Sequence, residues 1–141
     1  MRYALGIDIG GTNTRVALID DTYRMVNRVQ FATNSADPRA NLQKIKDAID
    51  AFDVDNIVGI GISCPGPLDL INGNIIETPN LNETWWHFPI VKELKQTTGL
   101  DTYLENDANL ACLAEACVGQ GKDYRSINSS FRLQAFNRGS N

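Results

Sequence analysis

The chain has 141 residues, 43% hydrophobic and 21% charged, with a formal net charge of −4. That is enough apolar material for one domain with a core, while the acidic balance argues against nucleic acid as a primary partner. No apolar run reaches the roughly 20 residues of a membrane span, and no signal-peptide layout opens the chain, so a cytoplasmic protein is expected. Cys64, Cys112 and Cys117 lack paired spacing, which predicts free thiols rather than disulfides or a zinc knuckle.

Three strands are predicted first, over residues 3–9, 14–19 and 25–31, with Asp20 and Asp21 as turn residues between the second and third. Between the first two strands lies Gly-Ile-Asp-Ile-Gly-Gly-Thr-Asn-Thr-Arg, residues 6–15. So short a connection makes a β-hairpin. Glycines at its tip let backbone N–H groups approach an oxyanion and tolerate φ > 0. Thr12, Asn13 and Arg15 add hydroxyl, amide and guanidinium donors, and Asp8 can hold a metal ion or its water shell. The alternative is a plain hairpin with a solvated tip.

Asp37 followed by Pro38 predicts a helix start, and Leu42, Ile45, Ile49 and Phe52 recur at helical spacing. Residues 57–62 are almost wholly apolar, as in a central strand buried on both faces, and end in Ser63-Cys64-Pro65-Gly66-Pro67. A small hairpin over 68–71 and 74–77, turned by Asn72-Gly73, comes next. The loop 78–88 carries Trp85, Trp86 and His87. The sole histidine reads as aromatic-loop packing rather than a base; the tryptophans read as packing, or as a cover for a sugar face. Pro89 opens a helix through Thr98 that Gly99 closes, followed by a strand over 102–104 and a helix over 108–118. This order implies an α/β sheet, antiparallel at its start and parallel afterwards. All 17 acidic residues precede Tyr124; the segment 125–141 adds Arg125, Arg132 and Arg138 without an acid and reads as an irregular tail.

Asp107 falls where the last strand passes into the last helix, and active sites of open α/β sheets gather at carboxyl ends of strands. It either caps that helix or faces the crevice as a reactive carboxylate.

Four segments occur in order: Ile-Asp-Ile-Gly-Gly-Thr-Asn (7–13), Gly-Ile-Ser-Cys-Pro-Gly-Pro-Leu-Asp (61–69), Thr-Pro-Asn-Leu (78–81) and Leu-Glu-Asn-Asp-Ala-Asn-Leu-Ala-Cys-Leu-Ala-Glu (104–115). The series resembles the ROK family of bacterial sugar kinases and sugar-responsive repressors, within the actin/hexokinase-like (ribonuclease H-like) superfamily. The resemblance implies a mixed five-stranded sheet with flanking helices, and ATP and Mg²⁺ as cofactors. It implies that Gly10, Gly11, Thr12, Asn13 and Arg15 contact the nucleotide phosphates, with Asp8 on the magnesium side through water. Gly66, Thr78, Asn80 and Asn106 would line a sugar pocket. Asp107 would border that pocket and be the general base that takes the proton of the attacking hydroxyl.

Members of that family run to about double this length. The second glycine-rich loop, the later His and Glu of the sugar site and the Cys-rich structural zinc motif have no counterpart in these residues. Residues 1–124 therefore resemble an N-terminal sugar-kinase lobe, and 125–141 do not match the family. The expected function is phosphorylation of a hexose or N-acylhexosamine by a full-length, homo-oligomeric parent, the 141 residues alone being inactive. The alternatives are a non-catalytic fragment and a sugar-sensing regulator, although no helix-turn-helix precedes the hairpin.

Overall fold

The computed structural model describes residues 1–106 and Asn109. The expected helix over 108–118, the tail 125–141, Cys112, Cys117 and Asp107 lie outside the described residues.

β1 (Tyr3–Ile9), β2 (Asn13–Asp20) and β3 (Met25–Ala32) form an antiparallel meander. After α1 (Pro38–Phe52), β4 (Ile57–Ser63) joins β1 in parallel, and after α2 (Ile90–Thr98), β7 (Thr102–Leu104) joins β4 in parallel. The five-stranded order is β3-β2-β1-β4-β7, mixed as the pattern of elements implied. Asp37 accepts a hydrogen bond from the Ala40 N–H and Pro38 takes the first helical position, so α1 starts where its cap residues dictate. Gly99, at φ 75, closes α2 by donating its N–H to the Lys95 carbonyl.

One face of the sheet is aliphatic. Leu5, Ile7 and Ile9 on β1, Val16 and Leu18 on β2, and Ile60 and Ile62 on β4 pack with Leu42 and Ile45 of α1 and Leu94 of α2. Side chains alternate across a strand, so the register puts Gly6, Ala17 and Gly61 in one row on the opposite face and Asp8, Arg15 and Ser63 in the next. The polar row lies at the carboxyl end of β1 and β4.

The small hairpin is shorter than expected: β5 is Leu68–Asp69 and β6 is Asn74–Ile75. Asp69 explains why. Its carboxylate accepts from the N–H groups of Ile71 and Asn72, each at 3.1 Å, and its carbonyl accepts from Gly73 at 2.8 Å. These bonds curl residues 70–73 out of the ladder, leaving Ile71 95% exposed. The Asn72 side-chain amide and backbone N–H also hold the Asp69 carboxyl below the usual carboxylate range.

Candidate functional site

Asp8 and Arg15 are directly opposed across β1 and β2, and Arg15 Nη2 donates to Asp8 Oδ2 at 2.5 Å. Asp8 is the more enclosed of the two, its side chain 15% exposed against 36% for Arg15. The guanidinium therefore fixes the carboxylate at the sheet's carboxyl end while keeping N–H donors of its own to offer. Among the described residues no group of three or more His, Cys, Asp or Glu side chains converges. A single carboxylate suits magnesium, which keeps most of its water and binds through one or two carboxylates plus phosphate oxygens. Asp8 fits that mode and not an all-protein cage. Cys64, one residue past Ser63, is buried; burial first, and the Asp8 charge second, push its thiol far above the ordinary range. A thiol so placed is a packing residue, not a nucleophile.

The hairpin tip has two residues in its loop, Gly11 and Thr12, closed by the Gly10 N–H donating to the Asn13 carbonyl at 2.8 Å. The Gly10 amide is thus consumed by the turn, which narrows what the sequence suggested. No described residue accepts from the N–H of Gly11 or Thr12. Neither glycine of the pair has positive φ, contrary to expectation. What Gly11 requires is space: a Cβ there would sit 2.9 Å from the Asn80 carbonyl oxygen and 3.3 Å from the Asn80 Cβ. The glycine hairpin and segment 78–81, distant in sequence, are therefore in direct contact.

In that segment Asn80 is exposed, whereas Thr78 is fully buried. The Thr78 hydroxyl accepts from the Asn80 N–H at 3.3 Å, and its carbonyl accepts from the Trp86 indole N–H at 2.9 Å. Thr78 shapes the segment; Asn80 is the residue it presents. Gly66 is exposed in the loop after β4, and its peptide bond to Pro67 is cis. Asn106 is exposed just beyond β7, where the Glu105 N–H donates to the Ile62 carbonyl at 2.9 Å and extends the β4–β7 ladder. Both residues follow the carboxyl ends of adjacent strands, and Asp8 lies at the same end of β1.

The aromatic loop departs from expectation at one position. Trp85 is wholly buried, packs edge-to-face on Phe88 with centroids 6.0 Å apart, and donates its indole N–H to the Asn34 carbonyl at 3.0 Å. His87 does not pack with them. Its backbone sits at φ 61, and its side chain is 67% exposed with Nε2 3.4 Å from a Glu77 carboxylate oxygen. The left-handed turn at His87 sends its side chain outward while Trp85 and Phe88 point in.

Three residues that the sequence reading gave no role stand behind the hairpin. Thr33 donates its N–H to the Thr12 carbonyl and its hydroxyl to the Gly10 carbonyl, each at 2.8 Å. Thr14 and Asn41, both fully buried, stand behind it. A signal was present: Asn41 falls beside Leu42 and four residues before Ile45 and its neighbours on the apolar stripe of α1, where a polar side chain must find partners.

A family model described as "ROK family" matches residues 4–128. A glucokinase of Halalkalibacterium halodurans is 31% identical over 133 residues, covering 89% of this chain and 40% of its own length. The structure of a ROK family glucokinase from Streptomyces griseus in complex with glucose and AMPPNP aligns with a TM-score of 0.68 and 28% identity, over 85% of this chain and 38% of that one. A ROK family transcriptional regulator, a homolog of the E. coli MLC protein, aligns with a TM-score of 0.64 but 19% identity, over 76% of this chain and 28% of that one, and so shares the fold alone. The chain spans about two fifths of the length of the glucokinases it matches.

Proposed function

This chain belongs to the ROK family and has its actin/hexokinase-like α/β fold, and from that premise we propose that it supplies the first lobe of an ATP-dependent sugar kinase. The acceptor is a hexose or N-acylhexosamine. The sugar hydroxyl oxygen attacks the γ-phosphorus of ATP; the new P–O bond forms as the bond to the β-phosphate bridge breaks, ADP leaves, and the hydroxyl proton passes to Asp107. What supports the reading most is the contact of Gly11 with Asn80, because it puts a tip with open N–H donors against the segment assigned to the sugar. Phosphoryl transfer depends mainly on such juxtaposition and on charge neutralisation.

In this reading Gly11, Thr12 and Asn13 donate to the nucleotide phosphates, Gly10 forms the turn that presents them, and Arg15 adds its remaining donors. Asp8, oriented by Arg15, would hold magnesium through water. That ion supplies neutralisation of phosphate charge. Asn80, Gly66 and Asn106 face the sugar, with Thr78 bracing Asn80 from beneath. Asp107, outside the described residues, is the base.

Asp107→Asn in the full-length protein tests this. The change keeps shape and hydrogen-bonding capacity but removes the proton acceptor, so turnover in a coupled ADP-release assay should fall by about 10²–10⁴. Sugar affinity should stay within a few-fold of wild type. Turnover that survives within a few-fold rejects the base assignment.

A further inference from the structure

We infer that Thr33 is a positioning residue for phosphate binding, holding the peptide between Gly10 and Gly11 so that the Gly11 N–H faces the ligand. The inference rests on the reading of the hairpin as a phosphate site. The peptide in question is flanked by glycine on both sides, so no Cβ restricts the coupled rotation that would turn it over. Its orientation must come from outside the turn. Thr33 supplies it, donating its hydroxyl to the Gly10 carbonyl at 2.8 Å. In a planar trans peptide the following N–H points opposite to that carbonyl, so fixing the Gly10 C=O aims the Gly11 N–H away from Thr33. No described residue accepts from it.

The bonds behind Thr33 have a single possible polarity. The Gly10 carbonyl can only accept, so it takes the one hydroxyl proton of Thr33. In the 2.8 Å contact between the hydroxyls of Thr14 and Thr33, Thr14 is therefore the donor. Thr14 must in turn accept from Asn41 Nδ2, at 3.2 Å. At the far end the Asn34 N–H, which can only donate, meets Asn41 Oδ1 at 2.9 Å and fixes the amide in the orientation this requires. All the bonds thus run one way, from the Asn41 amide to the Gly10 carbonyl, and Asn41 and Thr14 are fully buried. Such a chain resists turning any one member. The same connection holds the sugar side: the Asn34 carbonyl accepts from Trp85, and the Ser35 carbonyl accepts from the Asn82 N–H at 3.1 Å.

The test compares Thr33→Val, which keeps the shape and loses the hydroxyl, with Thr33→Ser, which keeps the hydroxyl. Affinities of the full-length protein for magnesium AMPPNP and for glucose are measured by calorimetry. Thr33→Val should weaken AMPPNP about five- to tenfold, the range of one hydrogen bond, and leave glucose within twofold. Thr33→Ser should restore AMPPNP to within twofold of wild type. If the valine variant does not fold, Thr33→Ala carries the same expectation. AMPPNP affinity unchanged by loss of the hydroxyl, an equal loss for both ligands, or failure of serine to rescue overturns the role of Thr33 while leaving the phosphate reading standing. A wild-type protein that binds glucose but not AMPPNP overturns the phosphate reading and this inference with it.

Discussion

β2 carries a tight turn at each end, and the two turns are built on opposite principles. At the end near residue 20, Asp20 closes the turn on itself. One oxygen of its carboxylate accepts from the Thr22 N–H at 2.9 Å, the Thr22 hydroxyl at 2.6 Å and the Arg24 N–H at 3.0 Å. The Tyr23 N–H is taken by the Asp20 carbonyl. At the other end the carbonyls of Gly10 and Thr12 are held from behind by Thr33, while the N–H groups of Gly11 and Thr12 have no acceptor among the described residues. A turn that spends its donors internally is punctuation between strands. A turn whose acceptors are pinned and whose donors stay open is shaped for an anion.

The sharpest way to break this contrast is to place a side chain at the open turn. In Gly11→Val the new Cβ would approach the Asn80 carbonyl oxygen to 2.9 Å, and backbone cannot move aside as a flexible side chain can. Because Asn80 belongs to the segment proposed to face the sugar, both ligands should suffer, AMPPNP and glucose each by about tenfold or more, as overpacking of 1–3 kcal/mol implies. Thr22→Val at the closed turn should leave both affinities within twofold. Calorimetric titration of the two variants makes the comparison. Loss of AMPPNP affinity alone would mean that segment 78–81 shifts freely and that the contact couples nothing.

Much of the fold was legible because each local signal pointed one way. Asp37 and Pro38 start α1, Gly99 ends α2, and the apolar run of β4 demanded a strand covered on both faces. The Asp8–Arg15 facing pair also follows from the hairpin register once the loop has two residues. What could not be read were relations between distant segments. The glycine at position 11 signalled a special backbone, whereas its reason is Asn80, 69 residues on. Thr78 and Asn80 lie in one motif and share a hydrogen bond, yet one is buried and the other exposed. Thr33 sits outside every motif, since its task is defined by the two carbonyls it meets.

A smaller effect is expected at the closed turn. Hydrogen bonds from the Thr22 side chain, and then from the Arg24 and Thr22 N–H groups, hold the Asp20 carboxyl below the ordinary 3.8 even against its burial. A group whose acidity rises on folding stabilises the fold above its unfolded value and loses that contribution as pH drops through its folded value. Asp20→Ala should therefore cost about 1 kcal/mol at pH 7, less than a free-standing hydrogen bond to a charged acceptor because desolvation of the buried carboxylate opposes it. The deficit should shrink as pH falls below 3.8. Chemical denaturation of both proteins across that range measures it, with AMPPNP affinity unchanged at pH 7. A deficit that stays constant down to low pH would place the effect in packing rather than in the carboxylate.

The smallest effect expected is the absence of a reaction. Cys64 is adjacent in sequence to Ser63, which pairs with Asp8, so it lies just beneath the open end of the sheet. Openness at the turn does not extend to this thiol, which is 7% exposed and pushed toward its neutral form chiefly by burial. Iodoacetamide needs a thiolate it can reach, so at pH 8 Cys64 should remain unlabelled in the folded chain and label fully in guanidinium, as peptide mass mapping would show. The two causes separate in Asp8→Asn. Removing the carboxylate lifts only the lesser of them, so Cys64 should stay unlabelled in that variant as well. Labelling that appears with Asp8→Asn alone would make the Asp8 charge, not burial, the guard of the thiol. Labelling of the wild type at the rate of a free peptide thiol would mean that the carboxyl edge beneath the hairpin opens to solvent, and the contrast between a pinned scaffold and an open donor tip would fail.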